Sequence, residues 1–249
     1  MKAKIFFIKL FNIIFGGYSC VRCNKPSGWQ PICIECQKNN LFKYTPSFDN
    51  EGNLCRCRKC GKELISELEF CSDCKEKNIL LHCDKVFPIH SYTLWKKNLL
   101  TSWKMHNVRQ LSYFFADLFY EVINKEFSHE GNLPVVPVPP RPDKIKTVGW
   151  DQIQDICKIL SKKYGITVYS ILERISSVQQ KELGREGRLQ SLDKAYRIKE
   201  NISFSDNIPD TVILIDDVMT TGVTVETCAH CLKEVGIKNV YVVTLFSVS

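Results

Sequence analysis

Apolar positions recur through the second half of the chain with the periods of alternating helices and strands. Over residues 108–127, Leu111, Phe115, Leu118, Phe119 and Val122 fall near one face, the spacing of a helix that turns a stripe toward a core. Residues 133–138 are a short apolar run stopped by Pro139 and Pro140, which reads as a strand entering a turn. A helix is then expected over 151–162, a strand over 166–172, a strand over 210–216, a helix over 223–235 and a strand over 240–245. The strand at 211–215 is apolar without strict alternation, as in a parallel sheet covered on both faces. This order predicts an α/β fold with crossover helices. Between 174 and 197 the periodicity is lost, and Gln180, Lys181, Arg185 and Arg188 give that stretch a basic, loop-like character.

The strand at 211–215 runs into Asp216 and Asp217, and then into Val218, Met219, Thr220, Thr221, Gly222, Val223 and Thr224. Parallel sheets bind ligands at the carboxyl ends of their strands. Gly222 permits a tight turn, and the following helix presents unpaired N–H groups to an anion while the threonines add hydroxyl donors. Two carboxylates repel a phosphate but accept hydrogen bonds from a pair of sugar hydroxyls, so the order fits a phosphorylated ribose. Neither Gly-x-Gly-x-x-Gly nor Gly-x-x-x-x-Gly-Lys occurs, which leaves little support for a dinucleotide or P-loop reading. The segment closely resembles the signature of type I phosphoribosyltransferases, which bind 5-phosphoribosyl 1-pyrophosphate (PRPP). The resemblance implies that Asp216 and Asp217 hold the ribose hydroxyls, that residues 218–224 wrap the 5-phosphate, and that Mg2+ accompanies PRPP. The basic stretch at 174–197 is then suited to closing over the leaving pyrophosphate.

Cysteine usage divides the chain. Ten of its 13 cysteines lie between Cys20 and Cys83, so a front region over 1–90 is expected to precede a larger domain over 91–249. Four Cys-x2-Cys pairs, Cys20 and Cys23, Cys33 and Cys36, Cys57 and Cys60, Cys71 and Cys74, supply ligands for two structural tetrahedral zinc sites. Two modules in succession and an interleaved arrangement satisfy the spacing equally. Disulfides are the competing reading, disfavoured by repeated Cys-x2-Cys spacing in an expected cytoplasmic protein. Two zinc centres of four thiolates each would lower the formal net charge from +7 to about +3.

The acid-free stretch at 96–109 therefore matters more than the total charge. Lys96, Lys97 and Lys104 with Trp95 and Trp103 form a candidate surface for single-stranded DNA, phosphates meeting lysines and bases stacking on indoles. The competing account packs both tryptophans in the core and leaves the lysines on a solvated face. Residues 1–15 are apolar but divided by Lys9, too short to span a bilayer, and compatible with a helix on the core or on a membrane surface. No integral span is expected; the expected setting is cytoplasmic, including a peripheral position at the inner membrane.

Over nearly its whole length the chain resembles the ComF/GntX family of phosphoribosyltransferase-like proteins, associated with bacterial competence and DNA uptake. The resemblance is carried by the paired cysteines, Tyr92 before the Trp103-Lys104 region, Val136-Pro137-Val138-Pro139, Gly149-Trp150-Asp151-Gln152, Leu172-x-Arg174, Gln180-Lys181-x-Leu183, Arg188, Ala195-Tyr196 and the acidic motif. Val148 stands where the family commonly has arginine, and Asp151 where it has asparagine. The resemblance implies a PRPP-binding protein that works on incoming single-stranded DNA with DNA-uptake partners. The alternative is a transferase moving ribose 5-phosphate from PRPP to a nucleobase or other small acceptor, and a third reading is an interaction module needing no turnover.

Overall fold

The computed structural model describes residues 18–28, 30–38, 44, 55–64, 69–76, 80–92, 94–141, 145, 149–175, 195–200 and 208–248, with the side chains of 94–96 outside the description. The apolar leader at 1–15 and Gln180, Lys181, Arg185 and Arg188 also lie outside the described residues.

Two short strands, β1 (Tyr18–Ser19) and β2 (Pro26–Gly28), pair antiparallel at the front, followed by α1 (Ile34–Lys38) and α2 (Ser72–Glu76). The main body contains β3 (Lys85–Ser91), α3 (Leu94–Lys104), α4 (Leu111–Phe127), β4 (Val135–Pro137), α5 (Gln152–Tyr164), β5 (Leu172–Arg174), β6 (Tyr196–Ile198), β7 (Thr211–Met219), α6 (Val223–Glu234) and β8 (Asn239–Ser247). Four of these strands form a parallel sheet in the order β3-β8-β7-β4. The expected α/β class is thus the observed one. β3 straddles the compositional break near residue 90 and belongs to the main sheet.

Strand geometry sends alternate residues of β7 to opposite faces. Ile213 and Ile215 share a core with Phe115, Phe119 and Ile156, from α4 and α5. Val212 and Leu214 join Val225, Cys228 and Leu232 of α6 in a second core on the other face. All four β7 residues are fully buried, which explains the unbroken apolar run in this part of the chain.

The cysteine-rich front is docked on this body. Cys20, Ile32, Cys33, Cys36 and Tyr44 are buried in the same core as Phe87 and Trp103, and the Tyr44 hydroxyl donates to Glu126 on α4 at 2.8 Å. Arg56, only 3% exposed, lies 4.7 Å over the Tyr44 ring and donates to the carbonyls of Gly61 (2.8 Å) and Pro88 (2.7 Å). Gly61 has φ +69°, and a Cβ there would collide with the backbone carbonyl of Val86, so only glycine lets this turn lie flush against β3.

The strand expected at 166–172 is reduced to one parallel bridge, Val168 against Val135, because the chain leaves the sheet edge to form the antiparallel pair β5-β6. The other elements agree closely with the expected ones. Asp151 caps α5 by accepting from the Gln154 N–H at 2.9 Å, and Gly165, in the left-handed region, ends it.

Candidate functional site

β7 carries Asp216 and Asp217 toward the carboxyl edge of the sheet, where the pairing with β8 still holds them: Asp216 lies opposite Thr244. The Asp217 N–H donates back to Asp216 Oδ1 at 2.8 Å. Burial, reinforced by the neighbouring Asp217 charge, pushes the Asp216 carboxyl up to about 8, against the opposing effects of that N–H and of Lys104. Lys104, from the last turn of α3, places Nζ 2.5 Å from Asp217 Oδ2. The two acids therefore differ: Asp217 is paired with Lys104, while the Asp216 carboxyl is held above the usual carboxylate range.

Beyond the acids, Val218 is half-buried and Met219 buried, and the Val248 N–H donates to the Met219 carbonyl at 2.9 Å, fixing the strand end. Thr220 and Thr221 are exposed. Gly222 occupies the left-handed region at φ 81° as the N-cap of α6, and no side chain caps that helix. Val223 and Thr224 open its first turn, whose N–H groups have no intrahelical acceptor. On the flank, β5 and β6 bring Arg174 opposite Tyr196, with the guanidinium 5.3 Å from the ring centre, so two separated sequence words meet beside α6. Burial raises the Tyr196 hydroxyl to about 12, and the Asp216 charge adds to that shift.

A cavity of about 250 Å3 opens between this turn and the second cysteine group, and its walls include Thr220, Thr221, Gly222, Lys59, Lys62 and Asp73. The sequence reading did not single out Lys59 or Lys62. Their only local signal is a cation within, and another just after, a Cys-x2-Cys turn.

The cysteines settle into two groups in succession, Cys20, Cys23, Cys33 and Cys36, and Cys57, Cys60, Cys71 and Cys74, each with all Sγ atoms within 4.8 Å of one another. The interleaved wiring is thereby excluded. Cys23 and Cys33 Sγ are 3.6 Å apart, as are Cys60 and Cys71. A zinc tetrahedron with Zn–S bonds of about 2.3 Å has sulfur-to-sulfur edges of about 3.8 Å, so the donor sets fit such an ion. None of the 13 cysteines is in a disulfide. The Cys60 thiol and the backbone N–H groups of Cys60, Cys71 and Lys59 lower Cys57 to about 4 against the opposing effect of burial. Cys20 is raised by burial, but N–H donors from Cys33, Cys23 and Arg22 bring it down to about 7. At Cys57 and Cys20 the backbone donors aimed at sulfur favour the thiolate that a metal requires, whereas burial raises Cys33, Cys36 and Cys74.

The candidate nucleic-acid surface is partly corrected. Trp103 is fully buried, its indole N–H donates to Ser112 Oγ at 2.9 Å, and its ring meets Phe115 edge-on at 4.7 Å, so it is a core residue and offers no face to a base. Lys104 is engaged by Asp217, which makes it part of the acidic site. Lys97 is exposed on α3; the side chains of Trp95 and Lys96 lie outside the described residues. The Gly149-Trp150-Asp151-Gln152 word is a docking and capping device: Trp150 donates to Asn107 at 2.8 Å beneath the Arg109 guanidinium, and Asp151 caps α5.

These features define an α/β protein with two four-cysteine metal-type sites and an acidic strand end opening on an uncapped helix. The chain is 25% identical to competence protein F of Haemophilus influenzae over 236 residues, 92% of this chain and 96% of that protein. It is 24% identical to competence protein ComFC of Streptococcus pneumoniae over 84% of this chain and 95% of the relative, and 24% identical to competence protein ComFC of Bacillus subtilis over 83% and 80%. No family model matches the chain. The three relatives, each matched over most of both lengths, support placing the chain in the ComF family. Among the described residues no helix is long and apolar enough to cross a membrane.

Proposed function

We propose that the protein binds PRPP with Mg2+ at the turn between β7 and α6 and acts in competence, in the uptake or processing of incoming single-stranded DNA. The observation that carries the ligand is the junction itself, where two adjacent acids at the end of a parallel strand lead through Thr220, Thr221 and Gly222 into a helix that no side chain caps. Asp216 and Asp217 would orient the ribose through its two hydroxyls, and residues 218–224 would receive the 5-phosphate on N–H and hydroxyl donors. Mg2+ bound with the ligand supplies positive charge to the pyrophosphate. Lys104 would hold Asp217 in place beside the sugar site through their ion pair.

The competence role rests on the resemblance and on the description of the three relatives as competence proteins. Contact with DNA would fall to Lys97 and its neighbours on α3, by charge rather than by stacking on Trp103. A peripheral position at the inner membrane and DNA-uptake partners belong to the same reading. Titration calorimetry with PRPP and Mg2+ tests the ligand: the parent should bind, and Asp216→Asn with Asp217→Asn should weaken binding at least about tenfold while the fold persists. No binding by the parent, or equal affinity in the double variant, rejects the assignment. Pyrophosphate release across a panel of acceptors separates the binding reading from the transferase alternative.

A further inference from the structure

We infer that the second cysteine module is a wall of the ligand site: Lys59 and Lys62 face the phosphate monoester end of the bound sugar phosphate across the cavity from Thr220, Thr221 and Gly222. The inference rests on the reading that this turn takes such a ligand. It adds to that reading a contact from a module more than a hundred residues away in sequence.

The placement of the two lysines is tightly determined. Lys59 lies between two ligand cysteines and Lys62 just after them, in a turn closed by the Gly61 N–H to the Cys57 carbonyl (2.9 Å) and the Cys57 N–H to the Lys62 carbonyl (2.8 Å). On its outer side the turn is set by the cysteine group; on its inner side it is seated on β3 by Gly61 and by the buried Arg56, which bonds both Gly61 and Pro88. Both lysines therefore project from a platform fixed at two edges, and both border the same cavity as Thr220, Thr221 and Gly222.

Charge explains why cations are needed there. Cys60 and Cys74 also border the cavity, and a metal-loaded group of four thiolates carries a formal charge of about −2. Asp73 adds another negative charge at the same wall, with its Oδ2 3.7 Å from Lys62 Nζ. A phosphate monoester, itself doubly charged near neutral pH, would be repelled by that wall; Lys59 and Lys62 reduce the repulsion and supply ammonium donors to its oxygens. The competing role for the lysines is to neutralise the cysteine group alone, without touching a ligand.

Zinc-loaded parent and a Lys59→Gln, Lys62→Gln variant distinguish the two, with ribose 5-phosphate and Mg-PRPP as probes in titration calorimetry. A Lys125→Gln, Lys238→Gln variant removes the same charge from outside the cavity. The cavity variant should lose about tenfold or more in affinity for both probes and show a weaker salt dependence, while the remote variant should bind as the parent does. Unchanged affinity in the cavity variant, or a loss that tracks a loss of zinc in the same samples, overturns the inference and leaves the PRPP reading standing. Failure of the parent to bind Mg-PRPP removes that reading and the inference with it.

Discussion

Replacing Asp216 by Asn should stabilise the fold as pH rises. Desolvation, with the neighbouring Asp217 charge, pushes the carboxyl up to about 8 in the folded chain, against 3.8 for an ordinary aspartate. Each unit of difference corresponds to about 1.4 kcal/mol, so the shift sets a ceiling of about 6 kcal/mol on the effect. The sign follows from proton linkage: the folded state holds the proton more tightly, so the stability due to the neutral carboxyl is complete below pH 4 and is lost as pH climbs through 8. Asn keeps the oxygen that accepts the Asp217 N–H and never ionises. Urea denaturation of parent and variant should therefore give nearly equal stabilities at pH 4 and an advantage for the variant that grows through pH 6 and levels off above pH 8, within a ceiling of about 6 kcal/mol. A difference that does not change with pH, or a variant less stable than the parent at pH 8.5, would refute the account of Asp216. Stability gained by disarming this acid would mean that the site is held at a cost to the fold.

Protein purified without added metal should contain about two zinc equivalents by elemental analysis, and Cys74→Ser should lose about one of them while the first site stays loaded. Gly61→Ala should lower stability by about 2–5 kcal/mol in chemical denaturation, because a side chain at this left-handed turn both strains the backbone and pushes the module off β3; a change below about 0.5 kcal/mol would show that the turn is not seated as described.

The junction from β7 to α6 was legible because each of its parts has a local cause: burial on both faces requires an unbroken apolar run, and a tight turn at φ 81° requires Gly222. The eight paired cysteines were legible as ligands, but their grouping depends on how the turns dock and had no local signature. β3 escaped notice because it sits among cysteine turns and contains Pro88, which argues against an interior strand; at the sheet edge the missing N–H costs little. Trp103 resembled a stacking residue beside three lysines, yet Leu99, Leu100 and Trp103 share the helical spacing of a buried stripe. Lys59 and Lys62 could not be associated with Thr220 from sequence, since only the seating of the cysteine turn on β3 brings them together.

The position of β8 between β3 and β7 has a consequence for biosynthesis. Lys85 pairs with Tyr241, so the edge strand must wait for roughly 150 further residues before its partner exists. At typical synthesis rates of about 5–20 residues per second, that delay is on the order of 10–30 seconds. Throughout it, Val86, Phe87 and Ile89 have no sheet to join, and the parallel pairing that eventually buries them is of the slow, long-range kind. The cysteine turns that precede this interval have no such dependence, because every ligand of both groups has already been made. A nascent chain thus holds both complete donor sets well before its sheet can close.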